Sequence, residues 1–225
     1  MPALLRFPDA AGATDLLTFA GRTASLASDA AIRLQARAGV LAATAAVLAP
    51  DSAGEAPTVL ALRAMRVDPE LECDLVVTAA SLFPSESSED AVTLPETGVT
   101  APWAGLSPPR NGWREIGRMP AAALQAAAAA GAAQVAAMLP ADPGEAVVQT
   151  ARAAVWGEPD PTLGELPRGV AFAAHQMGFA PDAGEEAVIR ENAGWMRVTL
   201  RRGDVLVRRT VRFGLTPVRV TGGGR

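Results

Sequence analysis

The 225-residue chain has no lysine and no tyrosine, one cysteine and one histidine, while twenty arginines face twenty-four acidic residues for a net charge of −4. These absences exclude whole classes of chemistry. A P-loop needs a lysine on its nucleotide phosphates, a pyridoxal enzyme a lysine for the Schiff base, and a protein kinase a lysine on its third strand. A zinc site of three or four Cys and His ligands is out of reach with Cys73 and His175 alone, and a redox CxxC is impossible. No cofactor is expected.

A lone cysteine is unlike the even, closely spaced set of a disulfide-stapled secreted domain. The opening run Met1 to Asp9 lacks the basic and long apolar regions of a signal peptide, so the cytoplasm is the expected compartment. Met119 to Ala141 contains no charged residue and approaches the length of a membrane span. It is mostly alanine, contains Gln125 and Gln134, and lacks the leucine and phenylalanine density that drives insertion. No membrane partner is expected.

Along the first part of the chain Asp9 can cap a helix with the stripe Leu16, Phe19, Thr23 and Leu26. The period then drops to two. Ile32, Leu34 and Ala36 alternate with Arg33, Gln35 and Arg37, Gly39 turns into the run Val40 to Leu48, and Thr58 to Val67 reads as a third strand. Leu71, Cys73, Leu75 and Val77 alternate with Glu72 and Asp74 as a fourth, followed by a helical turn near Ala79 to Phe83 and a strand near Ala91 to Leu94.

Proline and glycine then concentrate between Pro95 and Met119, the composition of a linker, yet Trp103 and Trp113 flank Pro108-Pro109-Arg110 within it. Two tryptophans are too apolar to lie loose in water, so the segment is expected to be ordered. Beyond it, Pro120 opens a helix with the face Leu124, Ala128, Gly131, Val135 and Met138. Asp142, Pro143 and Glu145 form a start signature for a second helix that ends at Gly157, and a third runs from about Pro167 to Met177. Strand patterns follow at Ala187–Arg190, Trp195–Leu200 and Val205–Arg209, the last two joined by the turn Arg201 to Asp204. No internal repeat of fixed period is visible. The expected fold is α+β: an N-terminal helix-covered, mostly antiparallel sheet over residues 1–97, an ordered linker over 98–118, and three helices plus a β-hairpin over 119–225 in a winged-helix-like order.

Pro102-Trp103-Ala104-Gly105, Pro108-Pro109-Arg110-Asn111-Gly112-Trp113, Ala154-Val155-Trp156, Leu166-Pro167 and Gly169 to Phe179 resemble an uncharacterised family of high-GC actinobacteria, mainly over residues 100–210. That family has no assigned activity. The resemblance implies a two-part architecture and no catalytic residue.

Charge is uneven. Residues 187–225 hold nine arginines against Glu191 and Asp204, whereas the remainder holds eleven against twenty-two acids. The basic tail either meets an anionic partner or docks on the acidic half of its own chain. In the first case Arg197, Arg201, Arg202, Arg208 and Arg209 of the hairpin are the candidate nucleic-acid or anion contacts. A recognition helix must present polar side chains to the major groove, and the third helix offers only Arg168 and Gln176. Trp103 and Trp113 are candidate interface anchors, or pins that hold the linker across the two halves.

His175 could serve as a general base, but it shares a helix face with Phe172 and Phe179, and no Gly-x-Ser-x-Gly supplies a nucleophile. Cys73 reads as core. Glu70, Glu72 and Asp74 read as a solvated strand face rather than a cation site, Glu185 and Glu186 as loop acids, and Arg202-Gly203-Asp204 as a turn. The function expected on these grounds is a non-catalytic interaction or regulatory protein with a protein partner. The alternatives are a nucleic-acid binder using the hairpin arginines and an enzyme with an Asp/Glu/Arg/His pocket between the halves.

Overall fold

The computed structural model describes residues 3–49 and 57–208. Short β1 (Leu4–Arg6) precedes α1 (Ala10–Ala24), whose Asp9 carboxylate accepts from the Gly12 N–H at 2.9 Å as the expected N-cap. Then come β2 (Ala31–Arg37), β3 (Val40–Leu48), β4 (Thr58–Arg66) and β5 (Cys73–Thr78), a 3-10 turn at Ala79–Ser81, and the short β6 (Phe83–Pro84) and β7 (Ala91–Thr93). After a 3-10 turn at Pro102–Gly105 come β8 (Arg114–Pro120), α2 (Ala121–Met138) and α3 (Glu145–Gly157). A small β9 (Pro159–Asp160) and β10 (Leu166–Pro167) precede α4 (Gly169–Gln176), β11 (Glu186–Asn192), β12 (Trp195–Leu200) and β13 (Gly203–Arg208).

Eight strands form one antiparallel sheet in the order β5-β2-β3-β4-β13-β12-β11-β8. The two halves meet at its centre, where β4 and β13 pair with Thr58 opposite Arg208, Leu60 opposite Leu206 and Leu62 opposite Asp204. On either side of that seam the chain runs the same way: a helix, then a three-stranded meander (α1-β2-β3-β4 and α4-β11-β12-β13), with β5 and β8 as outer edges. This structural repeat leaves no sequence period because its two copies share an alternation of burial rather than particular residues.

The pleat sends alternate side chains to opposite faces, so Val205 and Val207 join the main core under the helices while Leu206 joins a smaller cluster on the far side. The main core packs Leu16 and Phe19 of α1, Leu124 of α2 and Val170 of α4 onto Ile32, Leu34, Leu41, Val59 and Val198 of the sheet. Helix α3 packs outside this layer, against α2 and α4. α2 is long and apolar enough to cross a bilayer, yet Ala121, Leu124, Ala127 and Ala128 are buried in this core.

Several local expectations change. Residues 114–118, expected as linker, lie in β8, because pairing with β11 supplies a ladder that their own composition does not announce. α3 starts at Glu145 with Gly144 as N-cap and no side-chain cap bond, so Asp142 is not its cap. Glu70 and Glu72 precede β5, and of the three acids only Asp74 lies on the strand. Cys73 is half-buried rather than core, with its Sγ 3.8 Å from the Leu34 carbonyl, and Leu75 is exposed, because β5 is an edge that little covers. His175 is exposed at the end of α4 instead of packed between Phe172 and Phe179; Phe179 is buried after the left-handed Gly178 (φ +63°) redirects the chain.

Candidate functional site

The sheet face opposite the helices is crossed by the Pro/Trp segment. Trp103 and Ala104 are buried there with Leu60, Trp195 and Leu206, and Trp113 packs against the same cluster. Side chains fasten the segment at several points. The Arg33 guanidinium donates to the Ala104 carbonyl at 2.6 Å while gripping Asp74 at 2.7 and 2.8 Å. The Trp113 indole N–H donates to the Pro109 carbonyl at 2.9 Å, and Asn192 Nδ2 donates to the Asn111 carbonyl at 2.8 Å. Both tryptophans pack the segment against strands of both halves. The hydrogen bond from Arg33 holds the Asp74 carboxyl below the usual carboxylate range.

The hairpin arginines are dispersed. Arg197 is taken up by Asp204 and lies over the Trp113 ring at 5.9 Å. Arg201 and Arg202 are exposed at the turn, and Arg208 is exposed at the other end of β13, roughly 20 Å away at ~3.4 Å per strand residue. Arg209 lies outside the described residues. The hairpin itself sits mid-sheet, with β12 bonded to β11 and β13 to β4, so it is not a projecting wing. Arg190 of β11 donates to Thr199 at 3.0 Å and approaches Glu115 at 3.7 Å.

A cleft of about 1000 Å³ opens where the two halves meet at the end of β3. One wall is the α1–β2 connection and the end of β3, a second is the segment from Val99 to Trp103, and the third is α3 with Phe172 of α4. Its aromatic part is built on Gly131 of α2. The missing side chain lets the six-membered ring of the Trp156 indole approach that helix closely, and Phe172 stacks on Trp156 with centroids 4.6 Å apart and planes 15° apart. The Arg152 guanidinium carbon sits 5.3 Å from the centre of the Phe172 ring, within cation–π range.

Below this wall Asp160 is nearly buried and accepts from the Thr162 hydroxyl at 2.6 Å, the Thr162 N–H at 2.9 Å and Arg168 at 3.0 Å. These bonds, the Thr162 hydroxyl first, hold its carboxyl below the ordinary value. Arg168 also lies 3.6 Å from Glu158 and donates to Gln134 at 2.6 Å, tying β9, α4 and α2 together. Of the side chains singled out from sequence, Trp103 lines the cleft; Trp113, His175, Cys73 and the described hairpin arginines do not. Arg152 and Phe172 were missed as site residues because neither stands in a motif. Only the aromatics, Trp156 near the end of α3 and Phe172 within α4, marked the place. Among the described residues no group of three or more His, Cys, Asp or Glu is placed to hold a metal.

Residues 1–105 match the family model described as a domain of unknown function (DUF8010), and residues 108–212 match a second domain of unknown function (DUF8185). The two account for almost the whole chain. No curated protein matches. Among solved structures, the DNA polymerase III subunit beta from Pseudomonas aeruginosa is 12% identical with a TM-score of 0.47, covering 92% of this chain and 64% of its own. The pol III beta of Caulobacter crescentus is 11% identical with a TM-score of 0.45, covering 92% and 65%. A DNA polymerase sliding clamp from Pseudomonas aeruginosa, solved with ligand, is 11% identical with a TM-score of 0.46, covering 100% and 68%. The chain thus spans slightly less than two thirds of the length of the first two.

Proposed function

We propose that the chain is a non-catalytic interaction protein, regulatory in kind, whose binding site is the cleft between its halves. The observation that carries this reading is the lining. Among the described residues it combines aromatic and small apolar side chains with threonines, one glutamine and three charges (Asp29, Arg152 and Glu158), and it contains no histidine, cysteine or serine. Such a set recognises shape and apolar surface. It holds no nucleophile set against an imidazole base, and exposed His175 lies elsewhere.

A protein partner is favoured over nucleic acid. Phosphate tracking needs clustered cations, whereas α2 carries no charged residue and the exposed face of α1 presents Thr14, Thr18 and Gly21. The exposed hairpin arginines stand at opposite ends of a strand. The all-arginine, alanine-rich composition supports an actinobacterial source, and the single cysteine supports a reducing compartment. The test is affinity capture from the source cell with and without nuclease, comparing wild type with Ala154→Trp, which fills the cleft from an exposed position on α3. A protein retained through nuclease treatment by wild type and lost by Ala154→Trp is the expected result. Recovery that collapses with nuclease overturns the reading in favour of nucleic acid, and equal retention by both chains removes the cleft as the binding site.

A further inference from the structure

The inner wall of the cleft has a chemical polarity. Trp156 is buried and with the stacked Phe172 gives the α3 wall its aromatic surface, while Trp103, also buried, lies on the neighbouring wall. Arg152 is half-buried, held over the Phe172 ring, and makes no ion pair with a described carboxylate. The other charges of the lining are placed differently. Glu158 is countered by Arg168 at 3.6 Å, and Asp29 is exposed on the α1–β2 connection that forms the opposite wall. A cation resting on an aromatic face beside apolar walls keeps its N–H fork available while part of its hydration is stripped away, so an approaching anion meets a stronger field than it would in open water.

We propose that this wall selects an anionic group with an apolar body, and that the occupant is a segment of the protein partner placing an Asp or Glu beside an aromatic or aliphatic residue: the carboxylate meets Arg152 and the apolar neighbour covers Phe172. The inference rests on the reading of the cleft as the binding site. Asp29 across the cleft repels the same carboxylate and so orients the segment, anion toward α3. One anion is accommodated by this wall, since Arg152 is the only cation among the described residues of the lining.

Two fluorescent probes with one body separate the terms. 8-Anilinonaphthalene-1-sulfonate carries an anion on an aromatic frame, and N-phenyl-1-naphthylamine is the same frame without it. Both are titrated into the full chain and into Arg152→Gln, Arg152→Lys and Ala154→Trp, with circular dichroism and a thermal midpoint confirming that each variant is folded. The expected result is one saturable site for the sulfonate, weakened about tenfold by Arg152→Gln, as loss of a charge-assisted hydrogen bond implies. Arg152→Lys retains most of that affinity, the neutral probe is indifferent to both changes, and Ala154→Trp excludes both probes. If Arg152→Gln leaves the sulfonate unaffected while Ala154→Trp excludes it, the anion selectivity is overturned and the cleft stands. If neither probe saturates, or Ala154→Trp changes neither, the cleft reading falls together with the inference.

Discussion

Arg197 and Asp204 face each other across the β12–β13 ladder, with Nε and Nη2 of the guanidinium each 2.8 Å from a carboxylate oxygen. They are diagonal neighbours on the face of the sheet that the Pro/Trp segment crosses, since Arg197 stands opposite Leu206 and Asp204 opposite Thr199. The acid that Arg197 meets belongs to its own hairpin, so one charge of the basic tail is satisfied locally.

Arg197→Ala leaves the Asp204 carboxylate, whose side chain is 10% exposed, without its partner. The expected loss is about 2 kcal/mol in urea unfolding at neutral pH. An Arg197→Leu, Asp204→Leu double variant regains most of that, because no charge is then left desolvated. Equal losses in the single and the double variant would mean that packing on Trp113, not charge, is what Arg197 contributes.

Gly131→Ala places a Cβ into the Trp156 indole. The clash costs about 1–3 kcal/mol and tilts the Trp156–Phe172 stack, so probe binding in the cleft weakens with stability. Gly117→Ala on the edge strand β8 meets nothing within 4 Å and is the control, expected within about 0.5 kcal/mol of wild type.

Acid lowers stability in a definite window. Asp160, through the Thr162 hydroxyl and then Arg168, and Asp74, through Arg33, titrate lower in the folded chain than in the unfolded one. Their contribution is therefore complete above the ordinary carboxylate value, about pH 4, and is lost as pH falls through the depressed folded values. The urea midpoint should be flat from pH 7 to 5 and fall below pH 4, with a shallower fall in Asp160→Asn. Asp74 contributes less because its side chain is half exposed.

His175→Ala should change neither fold nor binding. The imidazole is exposed at the end of α4 and does not line the cleft. Stability within about 0.5 kcal/mol of wild type and unchanged probe affinity are expected. A lost activity or affinity would restore the enzyme reading that the sequence left open.

Local physics made much of the molecule legible in advance. Asp9 capping α1, the alternation of Ile32, Leu34 and Ala36 on β2 and the strand Trp195–Leu200 are all decided within a few residues, by cap geometry and by the period of two. Composition likewise removed lysine chemistry, zinc sites of three or four Cys and His ligands, and dithiol chemistry without any fold. Where the strands would go was illegible. Nothing near Thr58 or Arg208 announces that β4 and β13 pair, or that Arg114–Pro120 becomes an edge strand, because a ladder partner is chosen by mutual burial between segments far apart in the chain. The cleft belongs to the same class: Trp103, Arg152, Trp156 and Phe172 come from three separate segments, and only the packing of α2, α3 and α4 on the joined sheet brings them within reach of one ligand. The sequence by itself determined most of the elements and the chemistry that composition excludes; tertiary structure alone decided the edge strand Arg114–Pro120, the single sheet and the site at its seam, since those depend on contacts between residues that carry no record of each other along the chain.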